Sequence, residues 1–510
     1  MRKIKFFVVF LMLHGFVLSS FSQVSKRSFI KDSLDSYVVK ALHDWQIPGA
    51  AVCIIKDGQI VVMKGYGVKR MNTKDSVDVN TLFMIGSNTK AFTATALATL
   101  DQEKKLSLDD KVTKWLPGFK LDNKLAGEQA IIRDLLCHRL GFMTFQGDFT
   151  YWKSNLTREE VIEKMGHIKA VYPFRTTWGY TNAAFLTAGQ IIPKATGIQW
   201  EDYIKQKIFD PLGMTRTLAL SKDLPNATNK AVPHTIMDGK LITEPYLNID
   251  NLAPAGAIST SVSDMSKWVT MLLNRGTYMG KEIIPAKAIA ATRTPYAIIG
   301  NGGTTFNKGH FALYGLGFEL SEYEGRKIVS HTGGVTGFVS AVTLVPEEKL
   351  GIVVFTNTDQ NDFYYALQQE ILDAYLKLPY RNYSKVFIDY YKKNTARQDS
   401  TDNKLKDSVA LHLKTTLPLK SYTGKYSNEV YGNMEVVLNN GKLEMKFSHH
   451  PNMYAALQAL GGNRFYAVFT DPDFSKAVSP FKVENGKVKS VTVKVADFVE
   501  YTPYEFLKQN

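Results

Sequence analysis

Between Ser33 and Trp45 the apolar and polar positions follow a helical period, and Pro48-Gly49 stops it. The next apolar runs, Ala50 to Ile55 and Gln59 to Lys64, are separated by Lys56-Asp57-Gly58, a strand–turn–strand pattern. Ala91 to Leu100 is rich in Ala, Thr and Leu and reads as a buried helix. A helical middle extends to about Pro211-Leu212-Gly213, and Ser263 to Leu273 is another helix. Three apolar strands follow, Lys327 to Ser330, Val339 to Val345 and Leu350 to Asn357, and Phe363 to Leu376 closes as a helix. Strands at both ends with helices between predict an α+β domain: one antiparallel sheet made from both termini, flanked by helices, with an all-helical subdomain inserted.

Arg381 to Leu417 is polar, with Lys392-Lys393 and Asp399-Ser400-Thr401-Asp402-Asn403-Lys404, and reads as a linker with some helix. From Tyr422 the pattern becomes β. Met434 to Leu438 leads into Asn440-Gly441, a type I′ turn signal, and Lys442 to Phe447 alternates strictly. Phe465 to Phe469 is a further strand, and Phe481 to Val483, Asn485-Gly486 and Val488 to Val495 form a hairpin. Short strands with tight turns predict a small antiparallel β-barrel. This tail carries no catalytic constellation, and it is expected to cover the main domain without entering its chemistry.

The N-terminus changes the picture of where the chain works. Arg2, Lys3 and Lys5 precede an apolar run from Phe6 to Leu18, and Ser20 and Ser22 supply small residues before a cut after Ser22. That is the three-part pattern of a secretory signal peptide, so the expected organisation is 1–22 signal, 23–378 main domain, 379–416 linker and 417–510 barrel. The expected location is the periplasm or the medium. The run is too short for a span of about 20 residues, so no stable membrane span is expected.

With 510 residues, 45% hydrophobic and 22% charged, the chain is long enough for two or three domains and is not disordered as a whole. Two cysteines, Cys53 and Cys137, exclude a disulfide framework and a cysteine-built zinc site; whether they pair is open. The His residues show no metal spacing, and His449-His450 reads as a turn, so no metal or cofactor is expected. The net charge of +14 is tied to no nucleic-acid motif and reads as solvated cations. No GxSxG elbow and no P-loop occur.

Three short motifs remain. In Gly86-Ser87-Asn88-Thr89-Lys90 a serine opens a helix and a lysine follows one turn along on the same face, so a neutral Lys90 can take the proton of Ser87. Ser-x-x-Lys arises about twice by chance in a chain of this length, and Ser28 to Lys31 and Ser479 to Lys482 match as well. Only the apolar lead-in and the Ala-rich helix distinguish Ser87, which otherwise reads as an N-cap. Tyr180-Thr181-Asn182 pairs a phenol with a carboxamide on a loop before a helix; Tyr246, Tyr380 and Tyr431 begin the same pattern elsewhere. His331-Thr332-Gly333-Gly334 follows a strand, where an edge can pair with an extended substrate or simply turn.

In this order the three motifs resemble the serine β-lactamase and penicillin-binding-protein superfamily, nearest the class C β-lactamase-like branch with its D-aminopeptidase and esterase relatives. Ile47-Pro48-Gly49-Ala50, the stretch Asp134 to Gly141, Pro254-Ala255-Gly256 and Tyr314-Gly315-Leu316-Gly317 agree with that branch. The resemblance covers about Ser33 to Leu376, and the tail is similar to the lipocalin-like barrel behind such domains. It implies a β-lactamase/transpeptidase-like fold with Ser87 as nucleophile, Lys90 as its base and Tyr180 as second acid/base. Asn182, His331, Thr332, Gly333 and Gly334 would bind substrate, with the N–H groups of Ser87 and Gly334 as oxyanion hole, while His138 and Arg139 shape the wall or serve structure. β-Lactamases carry Lys where this chain has His331, and a His of ordinary pKa near ~6.5 is mostly neutral at neutral pH. The expected function is therefore an exported serine hydrolase acting through an acyl-enzyme on D-amino-acid peptides or small esters. A class C-type β-lactamase and a non-catalytic penicillin- or peptidoglycan-binding protein are the alternatives. The expected partner is a small-molecule or peptide substrate, not nucleic acid; the oligomeric state is left open.

Overall fold

The computed structural model describes residues 28–303, 306–307 and 309–509. The signal segment lies outside the described residues. Eight antiparallel strands form the main sheet: β1 (Gly49–Lys56), β2 (Gln59–Gly67), β3 (Ala297–Gly300), β4 (Ala312–Tyr314), β5 (Glu319–Tyr323), β6 (Arg326–Val335), β7 (Phe338–Val345) and β8 (Leu350–Thr356). Their order is β2-β1-β8-β7-β6-β5-β4-β3, so the first strands of the domain pair with its last, Cys53 opposite Val353. β7 and β8 are buried along their whole length, which explains their near-continuous apolar text.

Helices cover both faces. On one side α1 (Leu34–Asp44) and α5 (Phe363–Tyr375) pack Val38, Leu42, Leu367 and Ile371 against Val52, Ile54 and Ile352. On the other lie α2 (Thr89–Gln102) and α4 (Val262–Leu273), with Phe92 stacked on Trp268 at 4.1 Å. Every residue of α2 from Thr89 to Leu100 is buried, because the inserted helical subdomain, including α3 (Asn182–Thr196), encloses its far side. Small and β-branched residues let the neighbours approach that closely. Cys53 and Cys137 are both buried and unpaired.

The stretch expected as a linker is one helix, α6 (Tyr383–Ala410), whose start is anchored where Trp45 Nε1 donates to Ser384 Oγ at 3.0 Å. His331 to Gly334 does not end a strand: all four residues lie inside β6. Beyond α6, eight strands close a barrel: β9 (Gly424–Asn428), β10 (Gly432–Asn439), β11 (Lys442–Phe447), β12 (Tyr454–Ala459), β13 (Arg464–Phe469), β14 (Lys476–Glu484), β15 (Lys487–Val493) and β16 (Tyr504–Lys508). The alternation in β11 turns Leu443, Met445 and Phe447 inward, and Asn440 takes the left-handed conformation the turn needs, with φ 46°. No described helix is long and apolar enough to cross a membrane.

Candidate active site

Ser87 lies in a 3₁₀ turn, Gly86–Asn88, that runs directly into α2. One turn later Lys90 is fully buried, and its Nζ meets three acceptors: Ser87 Oγ at 3.0 Å, Asn182 Oδ1 at 2.6 Å and Ala255 O at 2.9 Å. Burial pushes the lysine down to about 7, against the pull of Asp148. At neutral pH a large fraction of Lys90 is therefore an amine with a lone pair beside the serine hydroxyl. The other two Ser-x-x-Lys matches have no such setting: Ser479 sits in a barrel strand, and Ser28 precedes α1.

Tyr180 supplies a second proton-carrying group. Its ring lies under the Lys90 ammonium, 4.8 Å from Nζ to the centroid. Its buried hydroxyl makes no hydrogen bond of normal geometry with a described residue, and burial raises its pKa well above the ordinary value while the nearby Ser87 hydroxyl acts to lower it. Tyr180 is thus a neutral phenol able to donate, and Lys90 is the group of the pair whose lone pair is open to a proton. His138, at φ 58°, fixes this corner: its Nδ1 accepts from the Thr181 N–H at 3.0 Å, and its ring lies 4.3 Å from that of Tyr180. Arg139 turns away from the cleft to Asp134.

Asn182 opens α3 and is more engaged than the sequence suggests. Its oxygen accepts from Lys90, and its Nδ2 donates to Asp148 Oδ2 at 2.7 Å. Asp148 is buried and held up at about 7 by that burial. It orients Asn182, which orients Lys90. No local motif marks Asp148.

Across the cleft stands β6. β5 pairs only with Arg326 to Ser330, so among the described residues the outer edge of His331 to Val335 has no strand partner. Gly333 and Gly86 let the Ser87 turn press onto this edge: a Cβ on Gly333 would lie 1.9 Å from Ile85 O, and one on Gly86, at φ 51°, would lie 2.9 Å from Gly334 N. Thr332 and Gly334 line the cleft. His331 is buried with both ring nitrogens engaged, Nδ1 at 2.6 Å from Thr332 O and Nε2 at 2.9 Å from Tyr314 Oη. The carbonyl can only accept, so Nδ1 carries the proton and Nε2 accepts from the tyrosine. Burial, then Lys90, pushes this imidazole down to about 3. His331 is a neutral wall residue and no fixed cation.

The barrel enters the site, contrary to the expectation that it only covers the domain. The cleft, about 430 Å³, is closed on one side by Asp497, Phe498 and Tyr501 from the loop between β15 and β16. Phe498 meets Trp152 edge-on at 5.4 Å, and Tyr501 stacks on Phe145 at 5.4 Å. Between them Glu500 is fully buried and accepts from the N–H groups of Gly147, at 2.9 Å, and Phe149, at 3.1 Å. Those residues flank Asp148. The Phe149 ring itself enters the barrel end, stacked on His450 at 4.2 Å and on Tyr504 at 5.6 Å. His450 is therefore a packing residue. Asp473 completes the dock by accepting from Trp152 Nε1 at 2.9 Å and from the Thr336 hydroxyl.

A family model described as Beta-lactamase matches residues 34–376. The chain belongs to the β-lactamase family. Within that family it is a serine hydrolase, and its relatives include proteins named as a hydrolase and an amidase. A second model, described as a domain of unknown function (DUF3471), matches residues 411–507, the barrel. The unguisins hydrolase ungD of Aspergillus violaceofuscus (strain CBS 115571) is 29% identical over 441 residues, 80% of this chain and 76% of that protein. The octameric penicillin-binding protein homologue of Pyrococcus abyssi superposes with a TM-score of 0.59 at 23% identity, over 93% of this chain and 99% of that one. A D-amino acid amidase of Ochrobactrum anthropi SV3, complexed with L-phenylalanine amide, gives 0.54 at 23% identity, over 68% of this chain and 97% of that one. At these identities the two structures share the fold of this family.

Proposed function

We propose that the chain is an exported hydrolase that forms an acyl-enzyme at Ser87 and acts on amide or ester bonds of D-amino-acid peptides or small esters. The observation that carries the reading is the neutral-prone, buried Lys90 amine 3.0 Å from Ser87 Oγ. Lys90 takes the hydroxyl proton as Ser87 Oγ bonds to the substrate carbonyl carbon. The carbonyl oxygen becomes an oxyanion held by the N–H groups of Ser87 and Gly334. The neutral Tyr180 phenol donates its proton to the leaving nitrogen or oxygen as that bond breaks, and Lys90 restores the phenol's proton. Water then attacks the acyl-enzyme through the same groups in reverse, releasing the acid.

The neutral His331 argues against a β-lactam as natural substrate, because a ring already bonded to Tyr314 and Thr332 gives a substrate carboxylate no cation. Two similar proteins carry names compatible with this choice, one a hydrolase, of unguisins, and the other a D-amino acid amidase. A panel of β-lactams, D-peptides and short acyl esters tests it. Esters and D-peptides are expected to turn over faster than penicillins; the opposite order assigns a class C-type β-lactamase, and acylation without turnover assigns a penicillin-binding protein. Export is tested by N-terminal sequencing of protein recovered outside the cytoplasm. A start near Gln23 is expected, and an intact Met1 refutes a cleaved signal.

A further inference from the structure

One carboxylate in the cleft has no assigned task. Glu319 begins β5 opposite Ser330, at the point where the free edge of β6 starts, and its side chain lines the same cleft as Ser87, Tyr180 and His331. It makes no side-chain hydrogen bond or ion pair with any described residue. The other two acids of the lining are committed: Asp148 to Asn182 at 2.7 Å and Asp497 to Lys494 at 2.6 Å. Among the described residues no Lys or Arg lines the cleft; Lys90 sits beneath it with its three acceptors. The walls on either side are aromatic, with Trp178, Phe145, Phe498 and Tyr501.

From this arrangement, and resting on the hydrolase reading above, we infer that Glu319 is the substrate's cation anchor, and that the preferred substrates carry a primary ammonium on an apolar or aromatic body, as an amino-acid amide or ester with a free amine does. An unpaired carboxylate in a desolvated cleft is costly unless a ligand supplies the opposite charge. Burial holds Glu319 up at about 7, so an arriving ammonium finds a group it converts fully to the carboxylate. Aromatic faces favour the same cation and bury its hydrocarbon body. A substrate carboxylate meets repulsion at this point.

The test uses the full-length protein and two readouts. Calorimetric titration with phenethylammonium is expected to show binding that weakens about tenfold or more in Glu319→Gln, with Glu319→Asp retaining part of it. In parallel, kcat/KM is compared for the p-nitrophenyl esters of D-phenylalanine and of 3-phenylpropanoic acid, which differ by the amine alone. The ratio is expected to favour the amine in the wild type and to fall about tenfold in Glu319→Gln. Equal phenethylammonium affinity in wild type and Glu319→Gln, or an unchanged ester ratio, overturns the inference while ester turnover leaves the hydrolase reading standing. Glu319-dependent amine binding in a wild type that hydrolyses neither ester supports the cation site and overturns the hydrolase reading instead.

Discussion

Replacing Lys90 with methionine keeps most of the side chain's length, removes the amine, and separates the two effects expected of a buried lysine that serves as a base. On the proposed mechanism it abolishes the base, so acylation of Ser87 is expected to be lost. It also removes a titration that the fold resists. Burial lowers Lys90 from 10.5 to about 7, so between these values the unfolded chain holds a proton that the folded chain does not. A group depressed in this way gives its full stabilisation above the unfolded value and loses it as pH falls towards the folded one. The shift amounts to about 5 kcal/mol in all, at about 1.4 kcal/mol per pH unit. The stability of wild type relative to Lys90→Met is therefore expected to drop by about 3 kcal/mol from about pH 9.5 to about pH 7.5, and to flatten below about 7. Lost hydrogen bonds to Asn182 and Ala255 offset the variant by an amount that does not change with pH, and Asp148, held up at about 7, is mostly ionised across that range. Urea denaturation followed by tryptophan fluorescence reads the right domain, since all 6 tryptophans, Trp45 to Trp268, lie in it. Parallel pH curves for the two proteins would mean that Lys90 binds its proton normally, and the base assignment would fall.

Two further substitutions probe how the site is held. Phe149→Ala empties the barrel end beside His450 and Tyr504 and is expected to cost about 3–5 kcal/mol in urea denaturation; because Phe149 follows Asp148, labelling of Ser87 by a fluorophosphonate should slow as well, and labelling at the wild-type rate would uncouple the barrel from the site. Gly333→Ala would set a Cβ 1.9 Å from Ile85 O, so the Ser87 turn must shift; a displacement near 1 Å predicts a loss of about a hundredfold in labelling rate with the circular dichroism spectrum retained, and an unaffected rate refutes the close packing.

Local chemistry in this chain is visible in its sequence when the partners lie within one turn of each other. Ser87 and Lys90 are of that kind, and so is the alternation that turns Leu443, Met445 and Phe447 into the barrel. The sheet formed from both termini is legible because β1, β7 and β8 are buried along nearly their whole length and so are written in near-continuous apolar residues. What escaped depends on contacts between distant residues. Glu500 holds Gly147 across 353 positions, and Trp152 reaches Asp473 across 321. A single acidic residue outside any motif gives no sign that it is buried, so Asp148, Glu319 and Glu500 stayed unmarked. Phe498 and Tyr501 read as ordinary aromatics of a loop until the fold sets them over the cleft. The polar text of α6 showed only some helix, and not its full length, because few of its residues are buried: Tyr383, Ser384 and Ile388, all at the start.

The central claim is that Ser87 is the nucleophile activated by Lys90. Incubation of the full-length protein with a fluorophosphonate, followed by intact-mass measurement and peptide mapping, tests it directly. One adduct is expected, located on Ser87, absent in Ser87→Ala and formed at a rate that rises with pH through an apparent pKa near 7. An adduct that persists in Ser87→Ala, or a wild-type protein that acquires none, contradicts it.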